Sequence, residues 1–153
     1  MEIPPDVARF IDGPVLMTLA TRDAENRPMI ARGSGRRLVP EGGGVEIAVS
    51  ARLWPETVAN LRDNGTLAAT FVDPASYRAF QLKGRATLRD PEPVDVARAE
   101  DYVAATERLL SDLGIGLPAI RYWLTAREVV LATLSVDRIF EQTPGPRAGA
   151  VVR

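Results

Sequence analysis

Two periods of hydrophobic and polar positions run along the chain. Val45, Ile47 and Val49 alternate with smaller or polar residues, which predicts a strand over 45–50 with one face in a core. Before it, 14–21 is rich in Val, Leu, Met and Thr and reads as a first strand, and the polar stretch 22–27 turns the chain into a second extended segment over 28–39. Residues 40–44 form another turn, after which Pro55 opens a helix to about Asp63, with Glu56 at its positive end and Asn64-Gly65 as the stop. Strands over 66–72 and from about 77 to 88 follow, separated by the turn Asp73-Pro-Ala-Ser76.

Helical spacing dominates elsewhere. Val7, Phe10 and Ile11 line one face of a short helix over 6–11, stopped by Gly13-Pro14. Val96, Val103, Leu109, Leu110 and Leu113 give a helix over 94–113 one packed face, and Pro118 starts a second helical piece over 117–124. A last strand over 128–140 is expected to carry a bulge or break near Ser135. Runs of neighbouring strands, without strict alternation with helices, favour a mainly β fold: an antiparallel barrel of six strands with helices inserted at its periphery. No repeat or linker divides residues 1–153, so a single domain is expected, with 141–153 as an extended tail because prolines and glycines interrupt it.

Composition narrows the chemistry. The 153 residues are 46% hydrophobic and 25% charged, enough for one substantial core, and they include no His and no Cys. That excludes a His-based triad, a Cys nucleophile, zinc knuckles and His- or Cys-ligated haem. Nineteen basic and twenty acidic residues leave a formal charge of −1, so no global field draws nucleic acid or an anionic membrane. With no run of 18 apolar residues and no basic-then-apolar N-terminus, a soluble, cytoplasmic protein is expected. The basic side chains are almost all arginine, which a genome rich in G and C explains by itself; Lys83 is the only lysine.

Two hairpin strands, a third strand, the helix Thr57-Val-Ala-Asn-Leu-Arg-Asp-Asn-Gly65, the strand Leu67-Ala-Ala-Thr-Phe-Val72 and then Arg78-Ala-Phe-Gln-Leu-Lys-Gly-Arg-Ala86 together form a pattern. It resembles the pyridoxamine 5′-phosphate oxidase-like, FMN-binding split-barrel superfamily over roughly residues 10 to 90, with the last strand completing the barrel. The resemblance implies a split barrel and a homodimer holding two FMN molecules in grooves at the subunit interface. It also implies phosphate binding by basic and hydroxyl side chains of the second strand, the third strand and the following helix. Arg32 and Arg37 have the family's five-residue spacing on the second strand, one residue later after Pro28 than the family pattern. Ser50 keeps one of two hydroxyl positions at the third strand's end, and Ala51 loses the other. Pro55, Glu56 and Thr57 stand where the family has Ser-Arg-Lys, replacing two cations by an acid and a hydroxyl.

The residues carry a physical reading of their own. A flavin phosphate is close to a dianion, and arginine binds it bidentately. Alternation puts Arg32, Ser34 and Arg36 on one side of the second segment and Gly33 and Gly35 on the other, unless a bulge at Gly-Ser-Gly brings Arg37 round. The glycines let a ligand or a second backbone approach closely. The plain alternative is a solvated arginine face. Ser50 and Arg52 leave the third strand as loop residues that a scaffold aims at a ligand, or as a simple helix lead-in; Trp54 stacks on a flavin or packs over the helix start. Gln81 and Lys83 share a face opposite Phe80 and Leu82, pointing out of the core to a partner subunit and cofactor, or to solvent. In the tail, amides at Thr143, Gly145 and Gly149 meet an anion or the other subunit, or the segment frays.

The expected site is therefore Arg32, Gly33, Ser34, Arg37, Ser50, Arg52, Trp54, Thr57, Gln81 and Lys83, with FMN as cofactor and no metal. The function expected is that of an FMN flavoprotein, an oxidoreductase of a small molecule, in which the flavin carries the electron chemistry and no catalytic side chain is nominated. Two alternatives stand beside it: a split-barrel ligand-binding module that has lost FMN and enzymatic activity, suggested by Glu56 and Thr57, and a deazaflavin-dependent reductase, which needs a longer basic groove for its cofactor's acidic tail.

Overall fold

The computed structural model describes residues 1–40 and 43–152. Its elements run α1 (Pro5–Asp12), β1 (Leu16–Arg22), β2 (Pro28–Leu38), β3 (Gly44–Ser50), α2 (Pro55–Asp63), β4 (Thr66–Val72), β5 (Ala79–Arg89), α3 (Pro93–Asp112), α4 (Leu117–Ile120), β6 (Val129–Glu141) and β7 (Val151–Val152). Glu41 and Gly42 of the expected 40–44 turn lie outside the described residues. Strands in the order β3-β2-β1-β4-β5-β6 close into an antiparallel barrel of six through β3–β6 pairing, and β7 adds one strand on the far side of β6. Closure removes the free edges that an open sheet would expose.

The interior follows from alternation. Met17 and Leu19 of β1, Leu67, Ala69 and Phe71 of β4, and Phe80 and Leu82 of β5 are buried, joined by Ile47, Leu134 and Ile139. Helix α1 plugs one end with Val7 and Ile11, while Phe10 meets Phe80 edge to face at 5.3 Å. β1 and β4 keep the clean half-buried alternation that a one-sided strand should have.

β3 departs from the expected pattern, because every one of its residues is buried. The cause is α3, which lies over the outside of β2, β3 and β6, where Ala48, Ala99, Val129 and Leu131 form a second, smaller apolar cluster. Glycine makes this possible: a Cβ on Gly35 would stand 3.1 Å from the Ala99 backbone. The irregularity expected near Ser135 of β6 is a bulge at Asp137, where the register passes from Gly84↔Val136 to Lys83↔Arg138. The tail is not merely extended: it doubles back, Gly149 N–H donating to Glu141 O at 2.7 Å, and Val151 and Val152 pair with β6.

Charge pins α3 in place. Glu46, on the outer side of β3 and 4% exposed, takes hydrogen bonds from Arg37 and Arg89, and Arg89 reaches on to Asp95 of α3 at 2.7 Å. Asp95 also accepts from Arg98 and from the Glu92 amide. Arg89 holds the Asp95 carboxyl down, to about 2 from an ordinary value of 3.8. Burial pushes the Glu46 carboxyl up, and Arg89 and Arg37 outweigh it, so that it too lies below the usual range.

Both folded pKa values lie below their unfolded ones, so the stabilisation is present above about pH 4 and is lost as pH falls towards 2. Acid titration of unfolding should show that loss in the wild type and a shallower one in Asp95→Asn. Glu46→Ala leaves two arginines without their shared partner and should cost about 2–3 kcal/mol in urea unfolding.

Candidate functional site

α3 packs against the outside of β2 and reaches Ala48 of β3 and Leu131 of β6; on the outside of β1, β4 and β5, Thr18, Ala20, Ala68, Thr70, Gln81 and Lys83 stay partly exposed, and α2 meets these strands at their Thr21 end. Register defines what faces out there. One row across the strands reads Arg32, Thr18, Thr70, Gln81 and Phe140; the next reads Ile30, Ala20, Ala68, Lys83 and Arg138. The centre of this wall is built from small side chains, Thr and Ala, so its surface is shallow between longer residues on either side.

Those longer residues are held by the wall itself. Arg32 donates to Thr18 Oγ1 at 2.7 Å and lies over the Trp123 ring at 5.3 Å. Gln81 donates to Thr70 Oγ1 at 2.9 Å. Lys83 stands 5.0 Å from the Phe140 ring centre, and Arg138 also lies over that ring. Below the second row, Arg22, Lys83, Arg85 and Arg138 line an open groove of about 390 Å³ together with one carboxylate, Asp137. None of these four cations forms an ion pair among the described residues.

The structure thus brings Arg32, Gln81 and Lys83 onto one wall and distributes the other expected residues elsewhere. β2 bulges: Gly33 pairs with Val49 and Arg36 with Ile47, leaving Ser34 and Gly35 opposite Ala48. The bulge moves Arg37 to the outer side, as the sequence allowed, and it removes Arg36 from the side of Arg32, where strict alternation had put it. Arg36 instead donates to the carbonyls of Ile11 and Gly13 at the end of α1. Arg37 does not join Arg32 in a clamp; it pairs with Glu46 at 3.0 Å beside the start of α3. Gly33 belongs to the core, since a Cβ there would meet Ile47 at 2.9 Å and Met17 at 3.1 Å.

A third group sits where β3 runs into α2. Ser50 donates to Arg127 O at 2.9 Å and accepts from Leu53 N–H, which makes it a brace for the turn. Arg52 is 3.9 Å from Glu128 and lines a groove of about 550 Å³ with Arg121 and Arg127. Trp54 packs against the core at the helix start, and no side chain caps the first turn of α2. Ser34 Oγ, Trp54 Nε1 and Thr57 Oγ1 are buried without a hydrogen-bond partner among the described residues, three polar atoms in the expected set left unsatisfied.

Sequence reasoning missed Trp123 beneath Arg32, the cations Arg22, Arg85 and Arg138, and the Glu46 pairing. Arg85, Arg138 and the Arg89–Glu46 contact are set by pairing between strands, and Trp123 by the path of the chain after α4, for which a single sequence has no local signal. Among the described residues no group of three or more acidic side chains is arranged to hold a metal, and no helix is long and apolar enough to cross a membrane.

Comparison with known proteins agrees with this architecture. Three solved structures align over nearly the whole chain. A putative pyridoxamine 5′-phosphate oxidase from Lactobacillus delbrueckii is 14% identical, with a TM-score of 0.58, covering 91% of this chain and 93% of that one. A protein described as F420 reductase is 15% identical with a TM-score of 0.57, covering 90% and 98%. HutZ, the haem storage protein from Vibrio cholerae, is 14% identical with a TM-score of 0.54, covering 92% and 95%. At these identities the likeness is one of fold. No curated protein sequence matches significantly. The family model described as pyridoxamine 5′-phosphate oxidase matches residues 3–131, most of the barrel, and the chain belongs to that family.

Proposed function

We propose that the protein is an FMN-binding flavoprotein, an oxidoreductase of a small molecule, that works as a homodimer and holds its cofactor against the wall that α3 leaves uncovered. The observation that carries this reading is the gathering of Arg32, Gln81 and Lys83 on that wall over a floor of Thr18, Ala20, Ala68 and Thr70. A planar ring needs a shallow surface that a tall side chain would block, and small residues supply it. A phosphate needs unpaired cations; Arg32 and Lys83 have no carboxylate partner among the described residues, whereas Arg37, Arg89 and Arg98 are already committed to Glu46 and Asp95. These features fit the cofactor, and Arg32 is assigned its phosphate, Gln81 and Lys83 the polar edge of its ring system.

When bound, the flavin supplies the electron-accepting chemistry. The chain's own part is to bind, orient and exclude water. Arg32, braced by Thr18 and Trp123, presents a fixed charge; Gln81, braced by Thr70, presents an amide whose carbonyl is free to accept a hydrogen bond. With no His or Cys in the chain, a haem would find no imidazole or thiolate ligand.

A deazaflavin is the second reading, supported by the groove of Arg22, Lys83, Arg85 and Arg138. It continues the wall below Lys83 and would take a longer acidic tail than FMN has.

Titration of the purified protein with FMN, followed by flavin absorbance and fluorescence, should give saturable binding that Arg32→Ala weakens by about tenfold or more. Lys83→Ala should weaken it as well, while changing stability by no more than about 0.5 kcal/mol, because Lys83 is a partly exposed side chain outside the core. Absence of FMN binding overturns the first reading. A deazaflavin with an acidic tail that displaces FMN, and that loses affinity in Arg85→Ala and Arg138→Ala while FMN does not, favours the second.

A further inference from the structure

A cleft of about 380 Å³, sharing no residue with the two rows of the wall, lies between the end of α1, the start of β1 and helix α3. At its base is Arg36. The Nε and Nη2 groups of Arg36 donate to the carbonyls of Ile11 and Gly13, and its guanidinium lies 5.3 Å from the centre of the Tyr102 ring. Nη1 has no partner among the described residues, and no carboxylate approaches Arg36 within ion-pair distance. The contrast with its neighbours is informative: Arg37, Arg89 and Arg98 each have a buried carboxylate. A half-buried guanidinium with no direct ion pair is costly: burial pulls the Arg36 pKa down, and Asp12, beyond ion-pair distance, offsets this only in part.

The rest of the cleft limits what could supply that charge. Pro14, Val15, Ala105 and Leu109 make it mostly apolar. Tyr102 is no competitor for the ligand, since its hydroxyl donates to Val15 O at 3.0 Å. Asp12 and Asp101 are exposed at the mouth, and Asp12 stands in sequence between the two residues whose carbonyls hold Arg36. Arg98 also lines the cleft but is already paired with Asp95, so a simple anion would meet Arg36 at the cost of repulsion from both aspartates. A cation would meet the reverse. A molecule with a carboxylate and an ammonium group on one apolar body satisfies both.

We propose that this cleft is a binding site for a small zwitterion of the α-amino acid type with an apolar side chain. The carboxylate pairs with Arg36 Nη1, the ammonium group with Asp12, and the side chain lies on Val15, Ala105 and Leu109. Because α1 and α3 form opposite walls, the ligand ties α3 to the barrel end, so occupancy stabilises the fold without involving the flavin wall.

Leucine serves as the probe, with N-acetyl-leucine (no ammonium) and leucinamide (no carboxylate) as its blocked counterparts, each titrated calorimetrically and by thermal unfolding. Leucine should bind saturably and raise Tm by about 3–6 °C at tenfold excess over its Kd. Both blocked forms should bind about tenfold more weakly or not at all. Arg36 also ties down α1, so the variants used are Asp12→Asn and Ala105→Trp, both at exposed positions. The first should weaken leucine about tenfold and leave N-acetyl-leucine unchanged; the second should fill the cleft and abolish binding, with FMN titration unaffected in both. No saturable leucine binding at about 10 mM, equal binding of N-acetyl-leucine, or leucine binding that survives Ala105→Trp would each overturn the proposal.

Discussion

Arg89 joins two buried carboxylates, Glu46 on the outside of β3 and Asp95 in the first turn of α3, and the surface of the barrel is organised by that junction. It fixes a long helix against the outside of β2, with Ala99 on Ala48 and Leu131, and explains why β3 is buried on both faces. It also decides which arginines are free. Arg37 and Arg98 are drawn into the same network, whereas Arg36 beside them is held by carbonyls. On the uncovered half, Arg22, Arg32, Lys83, Arg85 and Arg138 form no ion pair among the described residues.

This asymmetry gives the wall its chemical character. A barrel of this size must show polar groups on its outside, but nothing in barrel geometry requires them to be unpaired or to surround a floor of Thr and Ala. Arg32 and Gln81 each lean on a threonine of the same row, so the wall orients its own polar groups before any ligand arrives. Preorganisation of that kind reduces the ordering cost on binding. On the other half, the β2 bulge and Gly35 serve packing, with α3 in close contact. One strand thus supplies the proposed phosphate ligand at Arg32, a core contact at Gly33, a helix seat at Gly35 and a helix tie at Arg36.

Local signals made most of the fold legible. Pro55 and Asn64-Gly65 bounded α2, Val45, Ile47 and Val49 marked β3, and the opposition of Gln81 and Lys83 to Phe80 and Leu82 came directly from alternation. The pairing of strands distant in sequence was not legible, and the site depends on it. Arg138 reaches Lys83 only because β6 returns beside β5, and Trp123 meets Arg32 only through the path of the chain after α4. The bulge of β2 was readable as an option from Gly-Ser-Gly, and its effect on Arg36 was not, because the carbonyls it ties belong to α1. Gly33, expected to admit a ligand, shows the same limit: a glycine announces a close approach without saying to what.

The central claim is that the cofactor lies on the wall α3 leaves bare. Amide NMR shifts recorded during FMN titration of isotope-labelled protein test it most directly. The account predicts that the perturbed amides cluster at Thr18, Ala20, Arg32, Ala68, Thr70, Gln81 and Lys83, with Asp101, Tyr102 and Thr106 on α3 unmoved. Shifts confined to α3 and the end of α1, with the wall unchanged, would contradict it.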